Sequence, residues 1–242
     1  MKRYLDNADL AEKIKIASNK TLNTTWVHKF GAVPAMSQST TGTIWDINDT
    51  VYPWGAWATP GSVTIDRTNV GDANKWVRVQ GLDENFLPVE ESIQLVAATG
   101  NAGSEIFSRV FRAYIHNGST TNVGNITVRK GGTAVAQISA DAGQTLMAIY
   151  TVPAGYIGYV MQGTCSAQAS ADATGNFYVR FPGESAFRVQ HSFEVSGTGG
   201  QYDYIFTVPP PLPPKTDLDV RATVRTNNGR YTAAFDIVLV KI

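Results

Sequence analysis

Three histidines (His28, His116 and His191) and one cysteine (Cys165) are the residues of this chain best suited to hold a metal ion or attack a substrate. Their spacing argues against both. The histidines lie far apart and form no His-x3-His pair of the kind that sets two imidazoles on one helix face. A lone cysteine excludes an internal disulfide. As a nucleophile, Cys165 needs a histidine and an orienting group brought to it by the fold; otherwise it reads as a small buried hydrophobe. The Gly-x-Ser-x-Gly elbow and the Gly-x4-Gly-Lys-Ser/Thr loop do not occur. Gly197-Thr-Gly-Gly200 is glycine-rich, but no helical pattern follows it. Its amides therefore lack the helix N-terminus on which a phosphate cradle depends, and it reads as a turn.

Glycosidase chemistry needs two carboxylates across a scissile bond. The tight acidic clusters are Asp83-Glu84 and Glu90-Glu91, both beside turn or strand-start signals where solvated carboxylates are ordinary. Asp46, Asp49 and Asp66 could supply oxygen ligands to calcium, but the loop spacing of an EF-hand is absent. Trp45, Trp54 and Trp57 form an aromatic cluster with two readings. One is a platform for sugar rings; the other is a core or subunit contact, the two settings that large aromatics dominate. The expectation is a protein that is not an enzyme and carries no cofactor and no metal.

Twenty basic residues balance twenty acidic ones. No Lys/Arg run exceeds two residues, so the basic footprint of a nucleic-acid binder is missing, and with it the polybasic attraction to a membrane surface. The charged fraction is 17%, below the roughly 25% of average soluble domains. The surface is therefore rich in Thr, Asn, Gln, Ser and Gly, groups that cost little to desolvate against a partner. The opening Met-Lys-Arg-Tyr-Leu-Asp lacks a signal peptide's apolar stretch, and no run approaches 18 apolar residues. The expectation is a soluble protein made in a cytoplasm.

The elements that must position these residues are strands. Residues 1–25 stand apart as an N-terminal arm. Leu5, Ala8, Leu10, Ile14 and Ala17 recur at roughly helical spacing, and Asp6 or Asp9 can cap a short helix. The arm reads as a frayed tail, a helix packed on its own domain, or a contact for a neighbouring subunit through Leu5, Leu10 and Ile14. From Trp26 to Ile242 the periodicity is two. In Phe107–Ile115, residues 107, 111, 113 and 115 share a phase; Phe177, Val179 and Phe181 share one face. Turn residues separate the runs: Asn117-Gly118, Lys130-Gly131-Gly132, Asp141-Ala-Gly143, Pro153-Ala-Gly155, Thr198-Gly199-Gly200 and Asn227-Asn228-Gly229. Roughly thirteen strands without βαβ alternation predict an all-β, antiparallel, jelly-roll-like sandwich over 26–242. Pro153-Ala-Gly155 predicts a corner where the chain changes sheets. Val208-Pro-Pro-Pro-Leu-Pro-Pro214 holds an extended, polyproline-like loop. Pro209, Pro210, Pro211, Pro213 and Pro214 form either a rigid crossover or a stiff edge that loses little entropy on binding.

Trp26-Val-His-Lys-Phe-Gly31, Ile44-Trp-Asp46 and Tyr52-Pro-Trp54 resemble the opening of a group of tailed-phage virion proteins, although their last element runs Tyr-x-Trp/Phe-Pro. Phe111–Ile115, Gly143–Tyr150, Thr151-Val-Pro153, Tyr159-Val-Met161 and Ala233–Val240 extend the resemblance over about 26–242, leaving the arm outside it. The resemblance implies a virion structural protein of the capsid decoration or cement type. The major capsid protein is then its partner, a homo-oligomer (a trimer) its assembly, and the capsid surface its location. Nucleic acid and membrane are not expected partners. Two rivals stay open: a tail, neck or fibre component of the same virion, and a carbohydrate-binding module built on Trp45, Trp54 and Trp57.

Overall fold

The computed structural model describes residues 7–18, 20–47, 49–117, 121–168, 171–196, 200–226 and 228–242, the side chains of 7–11 excepted. Leu5 and the side chain of Leu10 lie outside these residues, as do Asp6 and the turn positions Gly118, Thr198, Gly199 and Asn227. Among the described residues, one α-helix, α1 (Asn7–Ala17), precedes seventeen strands. They are β1 (Thr24–Met36), β2 (Thr41–Thr43), β3 (Thr64–Arg67), β4 (Trp76–Leu82), β5 (Pro88–Gln94), β6 (Asn101–Ala102), β7 (Arg109–His116), β8 (Ile126–Lys130) and β9 (Thr133–Ile138). There follow β10 (Ile149–Thr151), β11 (Tyr156–Ala167), β12 (Ala173–Arg180), β13 (Arg188–Val195), β14 (Gln201–Ile205), β15 (Pro211–Leu212), β16 (Asp217–Val224) and β17 (Gly229–Lys241). Every strand pairing is antiparallel.

The longest strands open and close the β region. β1 and β17 pair from Thr24↔Val240 to Val33↔Tyr231. Along β17, Tyr231, Ala233, Phe235, Ile237 and Leu239 are buried while the residues between them are half-buried, the period-two signature made physical. The sheet runs β1-β17-β11-β14, with β15 on the edge of β11. The facing sheet runs β10-β16-β12-β13, with β2 on β16. Counting the eight principal strands in chain order, the two sheets read 1-8-3-6 and 2-7-4-5. This is the double Greek key of a jelly roll, as the strand pattern predicts. Pro153-Ala-Gly155 is the corner between β10 in one sheet and β11 in the other, with Gly155 at φ 79°.

Where the sequence reads as one body from 26 to 242, the buried residues divide into two cores. The chain leaves the jelly roll after β2 and returns at β10. Between them it builds a second sandwich from the sheets β6-β3-β8-β9 and β5-β4-β7, around Val63, Ile65, Val77, Val79, Phe107, Val128 and Ile138. Adjacent residues point into different cores at both crossings. Ile44 faces the jelly-roll core and Trp45 the inserted one; Ile149 faces the inserted core, and its neighbours Ala148 and Tyr150 the jelly roll. That two-sided burial accounts for Leu146–Tyr150, where consecutive apolar residues replace the alternation seen elsewhere.

Candidate functional site

Most of the residues with chemical potential are occupied in holding the fold, while His116 Nε2 and Asp46 Oδ1 are buried without a hydrogen-bond partner among the described residues. Asp83 Oδ1 accepts the N–H groups of Asn85 and Leu87, each at 2.8 Å, and so shapes a turn. Glu91 Oε1 accepts from Ser104 N–H and Oγ at 2.7 and 2.8 Å. Glu90 takes Arg78 and Gln80, each at 3.0 Å. Asp66 pairs with Arg129 at 2.6 Å, and Asp49 accepts Ser37 N–H at 3.2 Å. Among the described residues, no three His, Cys, Asp or Glu side chains converge as metal ligands. His28 Nδ1 lies 2.6 Å from Asp236 Oδ1, and His191 Nε2 lies 2.8 Å from Tyr202 Oη. Cys165 is buried, and desolvation pushes its thiol far above the usual range, away from the reactive thiolate.

Trp45, Trp54 and Trp57 are not on the surface, which corrects their candidacy as subunit contacts and removes them as a sugar platform. All three are buried within the chain's own inserted core. Each indole N–H is spent internally: Trp45 donates to Thr50 O at 3.0 Å, Trp57 to Tyr52 Oη at 2.8 Å, and Trp54 to Asp219 Oδ2 at 2.8 Å. Tyr52 stands edge-on to Trp45 and Trp54, with centroids 5.2 and 4.8 Å away. Such ring pairs add about 0.5–1.5 kcal/mol each beyond the area they bury.

Trp54 also touches a charged strand of the jelly roll. In β16 the residues Asp217, Asp219 and Arg221 alternate with Leu218, Val220 and Ala222. The apolar phase fills the jelly-roll core. The charged phase packs against the inserted sandwich, where a solvated face is the usual expectation for such alternation. Asp217 accepts from Arg109 Nε at 2.9 Å and from Thr151 Oγ1 at 2.6 Å, and pairs also with Arg180. Asp219 accepts from Thr43 Oγ1, Arg221 Nε and Trp54 Nε1 at 2.8–2.9 Å. Arg109 and Arg180 lie over the Trp54 ring at 5.6 and 5.4 Å. Both carboxylates are almost fully enclosed, so this network is a charged seam between the two sandwiches rather than an open site. Burial pushes the Asp219 carboxyl up, against the pull of Arg221.

Several large apolar side chains remain on the surface. Ile14 of α1 is 57% exposed, Trp26 of β1 43%, Ile205 of β14 71% and Val208 83%. α1 lies along the outer face of the β1-β17-β11-β14 sheet, where Ile16, Trp26, Met161, Ile205 and Val238 line a groove of about 300 Å³. The proline segment continues from this band. Leu212 anchors it in the jelly-roll core and β15 pairs with Gly158 and Tyr159. Pro210, Pro211 and Pro213 are exposed, and Pro209 and Pro214 half-buried. β13 and β14 close their two sheets, and among the described residues each pairs on one side only. Ile205 closes β14 and Val208 follows it, so nothing in their local pattern marks them; only their neighbours in space show that no core covers them.

No protein-family model and no curated protein matches the sequence. Among solved structures, the chain is similar to the cowpea mosaic virus top component, a naturally occurring empty particle. The identity is 11% and the TM-score 0.25, over 73% of this chain and 82% of that one. It is also similar to the infectious bursal disease virus VP2 subviral particle, at 9% identity and TM-score 0.23 over 90% and 72% of the chains. These weak structural neighbours are viral capsid proteins.

Proposed function

We propose that this protein is a non-enzymatic structural component of a phage virion, a decoration or cement protein that binds the major capsid protein lattice as a homo-oligomer, with trimer as the expected state. The observation that carries the reading is the apolar groove lined by Ile16, Trp26, Met161, Ile205 and Val238, from which the chain runs on through exposed Val208 into the stiff proline segment, beside the open edge of β14. Monomeric soluble proteins rarely expose such contiguous apolar surface, and edge strands left unpaired invite another chain. The jelly roll supports the reading as architecture, because capsid domains use it; lectins use it too, so the fold alone does not assign the role. Symmetric repetition of a modest interface over a lattice multiplies it into an avid one.

The test is to strip virions of this protein, add the purified chain back, and count copies per particle by quantitative gel and image reconstruction. Hundreds of copies spread over the shell support the cement reading. A ring of about 3 to 12 copies at one vertex, the number expected from tail symmetry, sinks it in favour of a tail or neck part.

A further inference from the structure

Between β1 and β7 lies a cleft of about 390 Å³ with Lys29, Arg112, Gln80, Gln144 and Tyr150 among its walls. Lys29 is 7% exposed. Its ammonium donates one hydrogen bond, to Phe111 O, and stands 5.5 Å from the Phe111 ring centroid. Arg112 is exposed at the mouth, held by Gln144 Oε1 at 3.1 Å and stacked 4.8 Å from the Tyr114 ring. Among the described residues, neither cation has an ion-pair partner, and no acidic side chain lines the cleft. The other ion pairs of low exposure in this protein join an arginine or lysine to an aspartate. Buried charges ordinarily have such partners, because an isolated ammonium in a dry site is costly.

We propose that this cleft binds a small carboxylate ligand, with Arg112 taking the carboxylate in its guanidinium fork and Lys29 supplying the charge behind it. An arginine fork matches the planar carboxylate bidentately, and a lysine adds a compact point charge. Gln80, whose Nε2 donates to Glu90 at 3.0 Å, Gln144, whose Oε1 accepts from Arg112, and the Tyr150 ring bound a space of roughly the size that such pockets take. The assignment is independent of the virion role.

The site has a pH signature. Burial, reinforced by the like charge of Arg112, lowers Lys29 to about 7. The other groups facing it are Arg112 itself, Tyr150, whose phenol burial pushes up and keeps neutral, and His28, which is turned to Asp236. A carboxylate binds the protonated amine, so binding takes up a proton. With Lys29 at about 7, affinity rises about tenfold from pH 8 to pH 6.

Calorimetric titration of the intact protein with succinate, glucuronate, inorganic phosphate and uncharged glycerol tests the site. We expect succinate or glucuronate to bind at about millimolar strength, with the tenfold pH effect. Lys29→Arg should bind without the pH effect, Arg112→Gln should lose at least about tenfold in affinity, and His28→Gln, at a position that also borders the cleft, should retain the tenfold pH effect whatever its affinity. Arg112 is exposed, so its replacement leaves the fold intact and the test readable even where position 29 tolerates no change. The proposal is overturned if neither carboxylate binds at pH 6, if Arg112→Gln binds as well as wild type, or if phosphate binds more tightly than both.

Discussion

The indole N–H of Trp54 donates to Oδ2 of Asp219 at 2.8 Å, and that bond joins the inserted sandwich to the jelly roll. Trp54 belongs to the inserted core, while Asp219 sits in β16, whose apolar neighbours Leu218 and Val220 belong to the other. The two sandwiches therefore meet through charge as well as through apolar packing. Arg109, Arg180 and Arg221 converge on Asp217 and Asp219, and the aromatic faces of Trp54 and Phe187 cover the guanidiniums.

Asp219→Ala strips Arg221 of its carboxylate and leaves the Trp54 N–H without an acceptor in an enclosed seam. Breaking a buried pair on one side costs about 3–5 kcal/mol. Trp54→Phe keeps an aromatic face but removes the donor and the fused five-membered ring, and should cost at least about 1.5–3 kcal/mol, the range for a hydrogen bond to a charged group, with the cost of the cavity in addition. Urea unfolding of the three proteins measures both. An Asp219→Ala loss under about 1 kcal/mol would mean that water enters the seam and solvates what the aspartate leaves behind.

Gly31 is the point where β1 passes over the crossing between the cores. A Cβ there would stand 2.2 Å from Ile44 O and 2.4 Å from Ala148 N. Both obstacles are backbone and cannot rotate away. Gly31→Ala should therefore destabilise by about 3 kcal/mol or more, at or beyond the upper end of ordinary overpacking, and the purified variant should melt well below wild type. A melting temperature within about 2 °C of wild type would contradict this crossing geometry.

These two sites mark what could be read in the sequence. The strands of the jelly roll were legible because one face of each is buried, which writes period two into β12 and β17. The corner at Pro153–Gly155 was legible because it needs glycine at φ 79°. The division into two cores was not, since a strand in either sandwich carries the same alternation; only long-range partners such as Thr24 with Val240 separate them. Nor could composition place Trp45, Trp54 and Trp57, because large aromatics serve cores and interfaces alike. Asp217 and Asp219 were hidden for a related reason. An alternating charged face signals solvent unless something across it, here Arg109 and Trp54, supplies partners. Lys29 lies inside the stretch that resembles phage virion proteins, yet nothing local reveals that its side chain turns inward.

Asp46 gives a pH dependence with a definite sign. Its Oδ2 accepts from Ser139 Oγ and N–H at 3.2 and 3.3 Å, while Oδ1 is buried without a partner among the described residues. Burial raises the carboxyl to about 7. Between the unfolded value near 4 and about 7, the folded chain holds a proton that the unfolded chain has lost. Stability therefore falls as pH rises through that window and levels off above it, by a contribution of at most about 4 kcal/mol. Asp46→Asn lacks the term, so urea midpoints of wild type and variant should diverge steadily from about pH 4 to pH 7, with the variant gaining. Parallel curves would show that Asp46 stays ionised in the folded state.

The apolar band separates folding from association. Ile205 and Val208 project outward from the end of β14 and the start of the proline segment, so replacing both by glutamine should change stability by no more than about 0.5 kcal/mol per site. If the band is the contact surface, the same double variant should bind stripped capsids at least about tenfold more weakly, a difference of about 1.4 kcal/mol. Its sedimentation should also shift toward the monomer. Ile16→Gln on α1 should weaken binding in the same direction, because Ile16 lines the same groove. The informative control is Leu212→Ala. That residue is buried beneath the proline segment, and its loss should cost about 2–5 kcal/mol of stability by freeing the loop from its anchor. Weakened binding from Ile205 and Val208 with unfolding from Leu212 would place the interface on the outside of the β14 edge. Full binding by the double glutamine variant would move it elsewhere on the molecule.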